Sequence, residues 1–395
     1  MSMPIPILAQ KEYCTGCTAC AAICPKDCIT MTADENGFFF PLVNTEKCVS
    51  CGLCERICPI KTPLKMTENE PKAYAAYSKD ETMRLNSSSG GVFTEIAKVV
   101  LQDGGAVYGA SYNEHFEVVH VCVEDDTNLY KLRGAKYAQS DLRETFAEVK
   151  AKLEHGQRVL FSGTPCQIGG LKAYLHKEYE NLIAVDFVCL CVPSPMVWRE
   201  YVKYRSEQDA NGELPVAINL RCKSTGWSNY TYSNRFEYAD GTVNNTCNVK
   251  SLYMKLFGGG YISRVACANC QFKGYRRVSD LTIGDFWGVW DVAPEMDDNK
   301  GTSVVLLQTD KGTKLFDRIS DKLIFKEVSL EEASLQNGAM LQPAHINSKR
   351  ERALALIREG KLSQCDKFFI ENRCSAIRRA KLIAGRILRK IGVLN

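Results

Sequence analysis

The 395-residue sequence predicts two joined units: a small cysteine-rich α+β module, then a larger α/β domain on a mixed, largely parallel sheet. Three observations carry this expectation. Nine of the nineteen cysteines crowd into residues 14–58. A four-cysteine pattern occurs twice within that stretch. From about residue 72, strand-like and helix-like apolar patterns alternate, the order expected of a helix-covered sheet.

Within the small module, Cys14-x2-Cys17-x2-Cys20-x3-Cys24-Pro25 recurs as Cys48-x2-Cys51-x2-Cys54-x3-Cys58-Pro59. A cubane iron–sulfur cluster needs four soft thiolates on a small shell, and one tight loop can supply three of them. The x3 step carries the fourth away, and proline then ends the turn. In two-cluster ferredoxins of this spacing the fourth cysteine ligates the other cluster. Cys14, Cys17, Cys20 and Cys58 are therefore assigned to one 4Fe–4S cluster, and Cys48, Cys51, Cys54 and Cys24 to a second. A zinc site or a disulfide staple would not require two matching runs, each followed by proline. Cys28 falls outside the pattern and is expected to be a bystander. Residues 1–62 are thus expected to form a ferredoxin-like dicluster domain, which carries single electrons and makes no bonds.

Residues 63–71 are polar, lie between prolines and suggest a linker to a domain over 72–345. Lys72–Ser78 and Ala106–Tyr112 suggest strands. Between them Val92, Phe93, Ile96, Val99 and Val100 form a helical stripe that ends at Gly104-Gly105. Leu142, Phe146, Val149 and Leu153 mark another helix, with Ser140 as its expected N-cap and Gly156 beyond its end. Residues 158–162 and 182–188 suggest strands flanking a helix that begins near Cys166. After residue 210 the pattern is richer in strands: residues 230–238 with Asp240-Gly241 suggest a hairpin, and 302–309 a further strand. Ser329-x2-Glu332 is a capping box.

Composition narrows the function. Fifty Lys and Arg against 46 Asp and Glu leave +4, too near neutral for a phosphate-backbone binder, so no nucleic-acid partner is expected. With 45% hydrophobic and 24% charged residues the chain is an ordinary folded one. No apolar run approaches the ~20 residues of a membrane span, and the start lacks a secretion signal. A cytoplasmic location follows, where clustered cysteines bind metal or do redox chemistry.

Three segments of the larger domain carry chemistry. Asn86-Ser87-Ser88-Ser89-Gly90-Gly91 opens a helix and offers free N–H groups suited to a phosphate or a flavin carbonyl. Phe161-Ser162-Gly163-Thr164-Pro165-Cys166-Gln167 joins a strand end to a helix start, where α/β sheets bind ligands and a thiol is biased toward thiolate. Cys267-x2-Cys270 is half of a metal site or a redox dithiol. No G-x-G-x-x-G follows a strand, and no P-loop, HExxH or GxSxG occurs. His115 and His120 have no ligand-spaced partner and are expected to be structural. Cys122, Cys222 and Cys247 are expected to be small buried apolar residues.

In order, the chain contains SSSGG (87–91), LRGAKYAQS (132–140), SGTPCQIGGLK (162–172), VCLCVPSP (188–195), CANCQFKG (267–274) and SDLTIGDFWG (279–288). Over residues 72–345 it resembles the family of coenzyme F420-reducing hydrogenase and dehydrogenase beta subunits. The resemblance implies an α/β flavoprotein domain holding FAD beside a third 4Fe–4S cluster, ligated by Cys166, Cys189, Cys267 and Cys270. It places the flavin against Ser88, Ser89, Gly90 and Gly91, against Lys136, Tyr137 and Gln139, and against Gly163, Thr164 and Pro165. Lys136 would supply a cation near the flavin N1/C2 carbonyl. Asp285 and Trp287 would pack near the cluster. Family members often have His-Gly after the cysteine equivalent to Cys189, whereas this chain has Leu190-Cys191; Cys189 is kept as the ligand.

The implied function is an oxidoreductase that passes electrons between ferredoxin, or a partner redox subunit, and coenzyme F420 or another small two-electron substrate. The alternatives are a flavin-dependent reductase of one metabolite, such as a surface-polysaccharide precursor, and an electron-relay subunit of an oligomeric complex. Isolated Cys365 and Cys374 argue against a nickel site. Residues 346–395 are expected to form a basic helical extension. Its stretch 373–395 holds seven basic and no acidic residues, and can lie peripherally on an anionic membrane or dock an acidic partner.

Overall fold

The computed structural model describes residues 6–370. The small module repeats one motif twice. Each cysteine run ends in a one-turn helix, α1 (Ala19–Ala22) and α2 (Leu53–Arg56). Between them β1 (Ile29–Ala33) and β2 (Phe39–Val43) pair antiparallel. Leu64 and Met66, in the expected linker, pack against the large domain, and Thr67 N–H donates to Arg277 O at 3.4 Å.

The large domain is built on an eight-stranded sheet. Its strands are β3 (Lys72–Ser78), β4 (Ala106–Tyr112), β5 (Val118–Val123), β6 (Val159–Gly163), β7 (Leu182–Phe187), β11 (Leu281–Asp285), β12 (Ser303–Leu307) and β13 (Leu323–Val328). They lie in the order β13-β3-β12-β11-β7-β6-β4-β5. The central four, β11, β7, β6 and β4, are parallel, and the flanking strands add antiparallel, so the sheet is mixed around a parallel centre. Residue alternation sorts the two faces. Leu160, Ile183 and Val185 face α4 (Val92–Gln102), whose Val92, Ile96, Val99 and Val100 cover them. Phe161 and Ala184 face α5 (Thr145–Glu154) and α6 (Pro165–Leu175) on the other side. Short α3 (Glu81–Leu85) precedes α4.

Helix α5 starts at Thr145, so Ser140 is not its cap. Residues 140–141 are instead drawn out along the sheet: His120 N–H donates to Asp141 O and Asp141 N–H to Val118 O, both at 2.9 Å. The Ser140 hydroxyl then joins a buried chain. Gln167 Nε2 donates to Ser140 Oγ at 2.9 Å, Ser140 Oγ–H to His120 Nδ1 at 2.8 Å, and His120 Nε2–H to Ser162 O at 3.1 Å. The carbonyl can only accept, which sets the tautomer. His120 thus stands in a hydrogen-bonded chain between α6 and the sheet.

A second layer holds the antiparallel sheet β10-β9-β8, from β8 (Ala217–Cys222), β9 (Ser233–Glu237) and β10 (Val243–Cys247). The expected hairpin is β9–β10. Trp198, Tyr201 and Val202 of α7 (Pro195–Ala210) share a core with this layer, and with Ala353, Leu354, Ile357, Cys365 and Phe368. Part of the expected C-terminal extension thus packs into a core. Residues 371–395, with the basic stretch and Cys374, lie outside the described residues. Cys122, Cys222 and Cys247 are half-buried rather than buried; they lie on β5, β8 and β10, the edge strands of their sheets. Cys222 Sγ contacts Ser224 Oγ at 3.2 Å and Cys247 Sγ contacts Tyr230 O at 3.3 Å.

Two adjacent glycines on α6 admit close neighbours. A Cβ on Gly169 would stand 2.6 Å from the Phe272 ring, and one on Gly170 would stand 2.8 Å from Cys17 Cβ. Gly170→Ala should gain up to ~1 kcal/mol of helix propensity. The methyl nevertheless collides with the cysteine module, so a net loss of ~1–3 kcal/mol is expected, read as a lower anaerobic melting temperature and faster proteolysis at residues 60–70.

Burial of the His120 ring lowers its pKa to about 4. Between pH 6.5 and 4 the unfolded chain binds a proton that the native state does not, so stability falls as pH falls through that window; above it the group contributes nothing. The full loss is ~3 kcal/mol. His120→Gln should remove this part of the slope when urea denaturation is compared at pH 7 and pH 5.

Candidate functional site

A cavity of about 540 Å³ opens at the carboxyl ends of the parallel strands, the edge at which such sheets bind ligands. Its size is within the ~300–1,000 Å³ of small-molecule sites. Three sequence segments meet there.

The first is the serine–glycine loop. Its carbonyls are held from behind: Arg221 donates to Ser88 O at 3.3 Å and Lys223 Nζ to Ser89 O at 2.5 Å. Ala135 N–H donates to Ser88 Oγ at 2.8 Å, and Ser89 Oγ–H to Thr302 O at 2.8 Å. With these groups engaged, Gly91 caps α4 with no side chain of its own, leaving the helix start to a ligand. Ser88, Ser89 and Gly91 line the cavity. Gly90 lies beneath, where its N–H bonds Ser303 Oγ at 3.0 Å.

The second segment brings Lys136, Tyr137 and Gln139 to the cavity. The Lys136 ammonium is already engaged, donating to the carbonyls of Lys131 (2.9 Å), Arg133 (2.7 Å) and Gly134 (3.2 Å). Burial lowers its pKa to about 7. The third segment, Gly163-Thr164, ends β6, and Pro165 is buried as the first residue of α6, behind the lining. Thr164 and Gln167 form a reciprocal capping box there.

Cysteines from distant parts of the chain form one wall. Cys166 stands at the start of α6, 3.1 Å from Thr164 Oγ1. Cys189 follows β7, and Cys267 lies in the turn Val265–Asn269, which Cys270 closes. Burial pushes the Cys166 thiol up to about 12, with repulsion from Cys270, Cys267 and Cys17 adding to it. Burial, then Cys267, and also Cys166 push Cys189 upward. Cys166 thus lies within electrostatic reach of Cys270, Cys267 and Cys17 of the small module, and Cys189 within reach of Cys267, Cys166 and Cys191. Cys166, Cys189 and Cys191 line the cavity. The buried Cys191 Sγ takes the Ser263 hydroxyl at 2.9 Å.

In the small module, Cys14, Cys17, Cys20 and Cys58 ring one small void, and Cys24, Cys48, Cys51 and Cys54 a second. Cys28 also lines the second, its Sγ 3.2 Å from Cys24 Sγ, so in space it is no bystander. Among the described residues no three His, Cys, Asp or Glu side chains meet closely enough for a single ion. Soft thiols arranged around voids fit a polynuclear iron–sulfur group.

Sequence reasoning missed Arg221. Its guanidinium lies 4.0 Å from the Tyr232 ring centroid and 5.0 Å from that of Trp287, and it pairs with Asp285 at 2.8 Å. Asp285 also accepts from Trp227 Nε1 at 3.1 Å. A single arginine in a β-rich stretch carries no pattern that could have singled it out. Asp285 and Trp287 line the cavity as well.

Comparison with known proteins agrees with this organisation. Residues 73–146 and 156–333 match the N-terminal and C-terminal models of the coenzyme F420 hydrogenase/dehydrogenase beta subunit. Residues 13–62 match a 4Fe-4S dicluster domain. A subunit of the F(420)H(2) dehydrogenase of Methanosarcina mazei is 23% identical over 343 residues, covering 83% of this chain and 88% of that protein. A chain of the F420-reducing NiFe hydrogenase complex from Methanosarcina barkeri is 15% identical, covers 76% of this chain and 92% of its own, and superposes with a TM-score of 0.45, too loose to carry an argument. The two beta-subunit matches together span more than half of the sequence. With its cysteines, its strand-end cavity and these matches in view, the chain belongs to the family of coenzyme F420 hydrogenase/dehydrogenase beta subunits, which are oxidoreductases, and carries a 4Fe–4S dicluster domain at its N-terminal side.

Proposed function

We propose that the chain is an iron–sulfur flavoprotein, holding three 4Fe–4S clusters and one FAD, that exchanges single electrons with ferredoxin or a partner subunit and two electrons with coenzyme F420 or another small organic substrate. One observation carries it: Cys166 and Cys189 wall the same cavity that Ser88, Ser89, Lys136, Gln139 and Thr164 line, while Cys17 of the dicluster domain packs against α6, the helix that carries Cys166. Bound there, clusters would carry single electrons and a flavin would convert them to two-electron transfer.

The chain's own residues serve this task by position. The Thr164–Gln167 capping box fixes the start of α6 and sets Cys166 at the positive end of its dipole. Lys273 Nζ donates to Cys189 O at 2.5 Å and to Ala339 O at 2.6 Å, fixing the Cys189 segment. Arg221, braced by Asp285 and two aromatic rings, presents a permanent positive charge to the cavity. In the outer set Cys51 is exposed and Val49 beside it is 41% exposed, so a partner redox protein comes nearest at this face. The M. mazei relative is named for F(420)H(2) dehydrogenase, which favours F420 as the two-electron partner.

Anaerobic analysis should find about twelve iron ions and one FAD per chain; eight iron ions without flavin would defeat the assignment. Cys189→Ala should lose about four iron ions, whereas Cys191→Ala should keep them. Reduced ferredoxin or dithionite should support F420 reduction by the purified chain. Turnover of another small substrate instead would remove F420 from the proposal, and no turnover of either would leave an electron-relay subunit.

A further inference from the structure

Arg264 is 1% exposed, yet among the described residues no carboxylate pairs with it. Its Nε donates to Cys14 O at 2.7 Å, and its terminal nitrogens donate to Phe39 O at 3.0 Å and Gln139 Oε1 at 3.2 Å. One of them also stands 3.8 Å from Cys14 Sγ. The guanidinium lies over the Phe40 ring, 4.0 Å from its centroid. A buried guanidinium surrounded only by neutral acceptors is costly unless an anion balances it. The groups within its reach that turn anionic on binding a metal are cysteine thiols, Cys14 at 3.8 Å and Cys267 on its own loop. Its backbone belongs to the other cysteine site: Arg264 N–H donates to Val192 O at 2.8 Å, and Cys267 N–H to Arg264 O at 3.1 Å.

Resting on the cluster assignment proposed above, we infer that Arg264 is a positioning residue: the buried counter-ion of the cluster held by Cys14, Cys17, Cys20 and Cys58, anchored from the loop that carries Cys267. A fixed positive charge next to a cluster favours its reduced, more negative state and so raises its potential. The residue also joins the dicluster domain to the wall of the cavity through Gln139.

The test is a redox titration, followed by electron paramagnetic resonance, of the full chain purified anaerobically with its cofactors. Arg264→Gln should move one of the two ferredoxin-type signals to a more negative midpoint and leave the other unmoved. Gln139→Glu, which neutralises the guanidinium in place without opening a cavity, should move the same signal in the same direction. Arg264→Lys, which keeps the charge, should shift it less than Arg264→Gln. Unmoved midpoints in both Arg264→Gln and Gln139→Glu would overturn the inference, as would a lysine variant that shifts as far as the glutamine one. A wild-type chain with both signals but no flavin would defeat the FAD assignment alone and leave this test intact. A wild-type chain without either signal would remove the cluster assignment and the inference together.

Discussion

Gly169 and Gly170, on one turn of α6, let two segments approach the same helix more closely than any side chain would permit. Phe272 brings the CANC loop against one glycine, and Cys17 brings the dicluster domain against the other. Close packing leaves no slack for a larger residue. Cys17 and the loop that carries Cys267 and Cys270 reach the helix that carries Cys166 because its surface is bare at these two positions. The joint between the redox module and the larger domain depends on that bareness.

The sheet sets the other half of the geometry. Its parallel centre puts the ends of β6, β7 and β11 at one edge, so the loops that follow them open toward the same space. The buried Gln167–Ser140–His120–Ser162 chain ties the start of α6 to β5 and β6. Such a chain is stable only when each member has its partner, and burial keeps the ring neutral. The cavity wall is therefore held by satisfied hydrogen bonds, and not by apolar contact alone.

Charge inside the site follows the same logic. Lys136 and Lys223 are half-buried cations whose ammonium groups are satisfied by backbone carbonyls; desolvation lowers the pKa of each to about 7. Arginine cannot shed its proton in this way. Arg221 answers its burial with Asp285, whereas Arg264 has only neutral oxygens and a thiol. Desolvation likewise holds the thiols of Cys17, Cys166 and Cys189 above their usual range, and a bound metal would take up the negative charge.

Local pattern was enough for much of this. The duplicated cysteine runs, the strands Lys72–Ser78 and Ala106–Tyr112, the α4 stripe and the capping box at Ser329 are dictated by spacing, periodicity and hydrogen bonding within a few residues. Edge positions were illegible, since the burial of Cys122, Cys222 and Cys247 depends on what packs over each face of a strand. Ser140 looked like a helix cap because short-range preference cannot see a sheet edge competing for the same backbone. Which of Cys166, Cys189, Cys267 and Cys270 lie near one another, and where Arg221 and Arg264 stand, was decided only when strands far apart in sequence paired. Sequence by itself determined which residues can bind soft metals and where the chain can turn. Tertiary structure alone decided which of those residues face one another, because proximity between distant segments is set by packing and pairing rather than by the chain's local preferences.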